Sequence, residues 1–223
     1  MLSNFLSDIP ALLLSLPVVL LALTVHETAH GYVAYKLGDT TARDLGRLTL
    51  NPLKHLDPLG TLAMIVFHFG WAKPVPINTR RFKNPRRDMA LSAAAGPISN
   101  LLLAFVSTFF YLLFLRFLPA LSSDSEMLTN IIFGVYTMLS MVVSLNVSLA
   151  VFNLIPIPPL DGSRIFYVFL PPKWYFGIMR YERYIQIGLL IALYLGLLDG
   201  VLSTATGFII DLMIKFWSLL PIF

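Results

Sequence analysis

The run Pro17-Val18-Val19-Leu20-Leu21-Ala22-Leu23-Thr24-Val25-His26-Glu27-Thr28-Ala29-His30-Gly31-Tyr32-Val33-Ala34-Tyr35 places three ionisable groups inside an apolar stretch of membrane-crossing length. Ionisable groups at that depth are expensive and point to function. On a helix, residues four apart project from one face, one turn above the other, so His26 and His30 reach a common point. That spacing suits two imidazoles on one Zn²⁺, with Glu27 beside them as general base for water at the metal. Two satisfied polar residues in a helix bundle would be the bland reading, and the apolar flanks weigh against it.

Composition places the chain in a membrane. Of 223 residues, 57% are hydrophobic and 13% charged, against roughly a quarter charged in soluble domains. Several windows exceed the ~20 apolar residues that span a bilayer, and no stretch of about 100 residues is left for a soluble domain. No cysteine is present, so any metal must be held by nitrogen and oxygen, and the redox compartment is silent. The net charge of +4 sits in loops beside apolar segments, which is a topology signal and excludes a nucleic-acid partner. The start, Met1-Leu-Ser-Asn-Phe-Leu-Ser-Asp8, lacks the basic region of a signal peptide.

Working outward, the first span covers 11–35. Ten Lys/Arg lie between Lys36 and Arg87, which puts that region in the cytoplasm and the N-terminus outside. Within it, Leu59–Trp71 is too short to span and reads as re-entrant. Arg47–Leu50 and Lys73–Asn78 read as extended, since each prolyl ring pushes its predecessor toward β or PPII. Further spans are expected over 88–118, 127–152, 184–198 and 204–220; the last carries Asp211 and Lys215 and can be interfacial. The proline-broken Asn153–Gly162 stretch returns to the cytoplasmic side. The fold class is therefore an all-α polytopic membrane protein of about five to six transmembrane helices, with a small membrane-associated β-rich re-entrant region. It forms one domain over 1–223, in the plasma membrane, with its active site toward the cytoplasm.

A catalytic zinc takes three protein ligands and keeps a fourth position open. Asp161 is favoured as the third because the topology returns it to the depth of His30, although an Asp-Gly pair is often only a turn. His55 and Asp57 compete for the place, and His68 fits better as a packing residue.

Three groups of residues together resemble the site-2 protease family of intramembrane zinc metalloproteases. They are His26-Glu-Thr-Ala-His30, Gly96-Pro-Ile-Ser-Asn100 and Asn153-Leu-Ile-Pro-Ile-Pro-Pro-Leu-Asp161-Gly162. The stretches Asn51–Gly60 and Phe69–Pro76 look like those of its compact members, so the resemblance covers about residues 20–170. It implies zinc held by His26, His30 and Asp161, with Glu27 as catalytic base. It also implies that Asn153 steadies the substrate or the oxyanion, and Asn100 belongs with it as a candidate. No room is left for a PDZ insertion or a CBS tail.

The expected activity is hydrolysis of peptide bonds within or near transmembrane segments of membrane-protein substrates. A substrate helix shields its carbonyls and must unwind to be cut. An edge in the 41–78 region, through Val75 and Ile77, is the expected holder of the unwound strand. A membrane zinc transporter also places ligands near broken helices, but it has no use for a non-ligating Glu27. An inactive scaffold with structural zinc is a third, weaker reading.

Overall fold

The computed structural model describes residues 2–60, 72–121 and 125–222. Its main elements are α1 (Leu2–Lys36), α2 (Pro85–Phe117), α3 (Glu126–Asn153), α4 (Asp161–Phe166), α5 (Pro172–Met179), α6 (Glu182–Tyr194) and α7 (Asp199–Trp217). Among the described residues, three stretches are long and apolar enough to cross a membrane: Pro85–Leu121, Glu126–Asn153 and Asp199–Trp217.

Helix α1 begins well before the expected 11 and ends where the chain turns sharply. The Asp39 N–H donates to Ala34 O (2.9 Å) and Gly38 N–H to Tyr35 O (3.1 Å), with Gly38 at φ 108°. These two bonds satisfy orphan carbonyls of the last turn in the Schellman arrangement. Helix α2 opens at Asn84-Pro85, where proline costs no helical hydrogen bond. The Asn84 N–H is held by Asp88 Oδ2 at 3.0 Å.

The small residues Ser92, Ala93, Gly96 and Pro97 on α2 are all buried. Without bulky side chains there, α1 and α2 approach closely, as helices in lipid do. Helix α3 packs on α1 and α2, and α7 on α2 and α3. Ala104, Val147 and Met213 form the apolar centre of that second junction, flanked by Phe105, Val151 and Ile209. The Trp217 indole N–H donates to Phe105 O at 2.8 Å, tying the end of α7 to α2.

Two expectations are corrected. Among the described residues five to six crossings are not reached, and the 184–198 segment shows why. Helix α6 has 13 residues, which at 1.5 Å per residue gives about 20 Å against a ~30 Å hydrocarbon core. It is stopped at Gly196 (φ 68°), where the Leu197 N–H donates to Ala192 O at 3.0 Å. The β-rich region is also not found: among the described residues there is no strand, only an isolated antiparallel bridge between Leu56 and Ala72. Prolines 74 and 76 favour extended neighbours but remove donors that a ladder needs. Most of the expected re-entrant piece, including His68, lies outside the described residues.

Candidate metal centre

Helix α1 presents His26 and His30 one turn apart, and their rings stand edge-to-face at 88° with centroids 4.5 Å apart. The third side chain comes from the first residue of α4. The preceding prolines break the helix after Asn153, and Asp161 then faces the two imidazoles. Gly162 lets this turn lie flat against the backbone of Leu154 and Ile155, which any Cβ there would overlap. The two Nε2 atoms are 3.0 Å apart, and Asp161 Oδ2 is 3.1 Å from His26 Nε2 and 3.2 Å from His30 Nε2.

Both outer ring nitrogens are engaged. His30 Nδ1–H donates to Ser92 O at 2.7 Å, and Ser92 Oγ–H returns a bond to His30 O at 3.0 Å. His26 Nδ1–H donates to Asn100 Oδ1 at 2.6 Å. The inner Nε2 atoms therefore carry lone pairs, which converge with a carboxylate oxygen on one point. Such a set is repulsive without a cation. A tetrahedral zinc with bonds near 2.0 Å sets its ligands roughly 3.3 Å apart, close to the observed triangle. The residues fit zinc.

Asp161 supplies the oxygen ligand that such a metal takes beside two imidazoles. Gly96 closes the far side: a Cβ there would overlap the imidazoles of His30 and His26.

Glu27 stands outside the triangle, half-buried, with Oε2 accepting the Val75 N–H at 2.7 Å. Val75 is itself buried, with Cγ1 against Gly31. The N–H expected to bind substrate thus faces Glu27. The segment carrying it is fastened on both sides. Arg47 Nη2 donates to Lys73 O (2.7 Å), Lys73 N–H to His55 O (2.8 Å) and Asn78 N–H to Asp39 Oδ2 (2.6 Å).

The rival ligands lie elsewhere. The buried His55 ring meets Thr49 O through Nε2 at 2.8 Å, and Asp57 Oδ1 accepts the Gly60 N–H at 2.9 Å. Among the described residues, His26, His30 and Asp161 are the group of ligand-type side chains that converge. Asn153 ends α3, half-buried, with one amide N–H on Leu149 O at 3.0 Å. Asn100 is fully buried, and its Nδ2 donates to Ala22 O (3.1 Å) and Asn146 Oδ1 (2.7 Å). It meets His26 rather than a cleft. Sequence reasoning missed Ser92 and Asn146; Asn146 carried the signal that marked Asn100, one amide in an apolar helix.

The profile of Peptidase family M50 matches residues 14–198. "Putative zinc metalloprotease YwhC" of Bacillus subtilis (strain 168) is 47% identical over 167 residues, covering 75% of this chain and 72% of that protein. "Putative zinc metalloprotease Rip2" of Mycolicibacterium smegmatis is 31% identical over 149 residues, 64% of this chain and 52% of the relative. The protein of that name from Mycobacterium tuberculosis is 24% identical over 220 residues, 90% and 79% of the two chains. No solved structure gives a significant match. With the profile matched over most of its length and a relative nearly half identical, the chain belongs to Peptidase family M50, the site-2 proteases.

Proposed function

We propose that His26, His30 and Asp161 hold one zinc ion and that Glu27 carries protons in peptide hydrolysis. The chain is an intramembrane zinc metalloprotease that acts on membrane-protein substrates. The observation that carries the residue roles is the triangle of two Nε2 atoms and one carboxylate oxygen, with Glu27 on the same helix but outside it. No observation favours a metal carrier, which would leave Glu27 without a task.

Zinc, when bound, supplies Lewis acidity, making water acidic near neutral pH and polarising the scissile carbonyl. Glu27 takes the proton of the attacking water and delivers it to the departing amine. The Val75 N–H fixes Oε2, leaving Oε1 for that proton. Ser92 O and Asn100 Oδ1 hold the two rings. Asn153 keeps its carbonyl and second N–H for an unwound substrate strand or its oxyanion.

We further take α1 as a fourth crossing, with residues 36–87 and 171–183 in the cytoplasm, in a single 1–223 domain of the plasma membrane. Reconstitution with a single-span substrate tests the chemistry. Glu27→Gln should lose cleavage by at least ~100-fold, the usual share of a general base, with zinc content unchanged. Wild-type cleavage by that variant would overturn the assignment.

A further inference from the structure

Beyond the ligands and the base, we infer that Asn146 is a positioning residue. It sets the tautomer in which His26 offers a lone pair to the metal, although it touches neither the metal position nor the ring.

Two backbone carbonyls, which can only accept, fix the direction of every bond in the chain from α3 to His26. Asn146 is fully buried on α3, and its Nδ2 donates to Val142 O at 2.8 Å. That bond fixes which end of the amide is nitrogen, so Oδ1 points to α2. There it accepts from Asn100 Nδ2 at 2.7 Å, whose other N–H donates to Ala22 O at 3.1 Å. Both Asn100 N–H groups being engaged by acceptors, only Oδ1 is left for His26. It lies 2.6 Å from Nδ1, so Nδ1 must carry the proton and Nε2 the lone pair.

The polarity of one carbonyl on α3 thus passes through two amides to a ring on α1. Reversing either amide would set acceptor against acceptor between fully buried groups. Outer partners of metal-binding histidines act in this way, and their loss typically weakens metal binding 10–100-fold. Asn146 is one bond further out.

The inference rests on His26 being a zinc ligand, and the experiment separates the two. Zinc affinity of the purified protein is measured by chelator competition for wild type, His26→Ala, Asn146→Leu, Asn146→Asp and Asn146→Leu in an Asn100→Asp background. Asn146→Leu removes the acceptor and should weaken zinc roughly tenfold. Asn146→Asp, neutral when buried, donates to Val142 O and accepts from Asn100, and should hold zinc within about threefold of wild type. A packing role predicts the reverse order, with leucine tolerated and the acid not. Over Asn100→Asp, which binds the ring without needing Asn146, the leucine should add no further loss. If His26→Ala binds zinc like wild type, the ligand assignment fails instead.

The metal-free wild type gives a reading independent of how the variants fold. The chain has four histidines, and ¹⁵N spectra of labelled protein should show His26 protonated at Nδ1. Protonation at Nε2 there, or undiminished zinc affinity in Asn146→Leu, overturns the inference.

Discussion

Gly96 concentrates several constraints in one missing side chain. It sits on α2 where a Cβ would overlap both imidazoles, so Gly96→Ala must push the rings from the positions Ser92 and Asn100 hold them in. We expect zinc affinity to fall at least ~100-fold, the upper range for a lost outer partner. Gly134→Ala on α3 meets nothing within 4 Å and should be neutral or stabilise by about 0.5–1 kcal/mol through helix propensity. Zinc titration beside thermal unfolding of the two variants checks this; equal behaviour would refute the role of Gly96. The histidine pair was legible in the sequence because its geometry is local, four residues on one helix. Gly96 and Asn100 were visible as a small-residue run and a lone amide. What they do was not, because it depends on which face of α1 lies opposite.

At the scale of elements, the segment 73–78 shows how far an extended reading carries. Prolines 74 and 76 favour extended neighbours, but extended backbone does not specify its partner. The partner here is a carboxylate on α1 rather than a neighbouring strand, with Arg47 and Asp39 as fasteners. Val75→Pro removes the N–H from Glu27 and should slow cleavage by about tenfold, as a lost buried hydrogen bond of 1–3 kcal/mol implies. Zinc content should stay the same, because no ligand moves. Gly31→Ala approaches from the opposite side: its new methyl meets Val75 Cγ1 at 3.0 Å, and displacing Val75 should slow cleavage in the same way. Arg47→Ala frees Lys73 O and should give a milder loss. If Val75→Pro cleaves at the wild-type rate, the segment neither orients Glu27 nor binds substrate. The short α6 is the converse case. Its apolar composition suggested a crossing, and only the turn at Gly196, followed at once by α7, limits its length.

For the whole molecule the decisive asymmetry is charge. Ten Lys/Arg fall between Lys36 and Arg87, and none between 117 and 126. Short loops rich in lysine and arginine stay in the cytoplasm. Helix α2 joins these two regions and is long enough to cross, so the proposed topology puts them on opposite faces. The Asp39–Asn78 fastening, the start of α2 and Arg164 of α4 would then share one face with the end of α1 that carries His26 and His30. On the topology proposed above, water and the substrate strand reach the site from that side. The absence of cysteine makes the arrangement directly testable with single introduced thiols. Asn84→Cys replaces a side chain that makes no capping bond, and Ala120→Cys falls in the exposed turn after α2. In intact cells an impermeant maleimide should label position 120 and leave position 84 unmodified until the membrane is opened. Labelling of position 84 from outside would invert the molecule and move the metal site to the outer half of the bilayer. The charge distribution would then need a cause other than membrane insertion, and the triangle of His26, His30 and Asp161, which depends on contacts among α1, α2, α3 and α4, would stand unchanged.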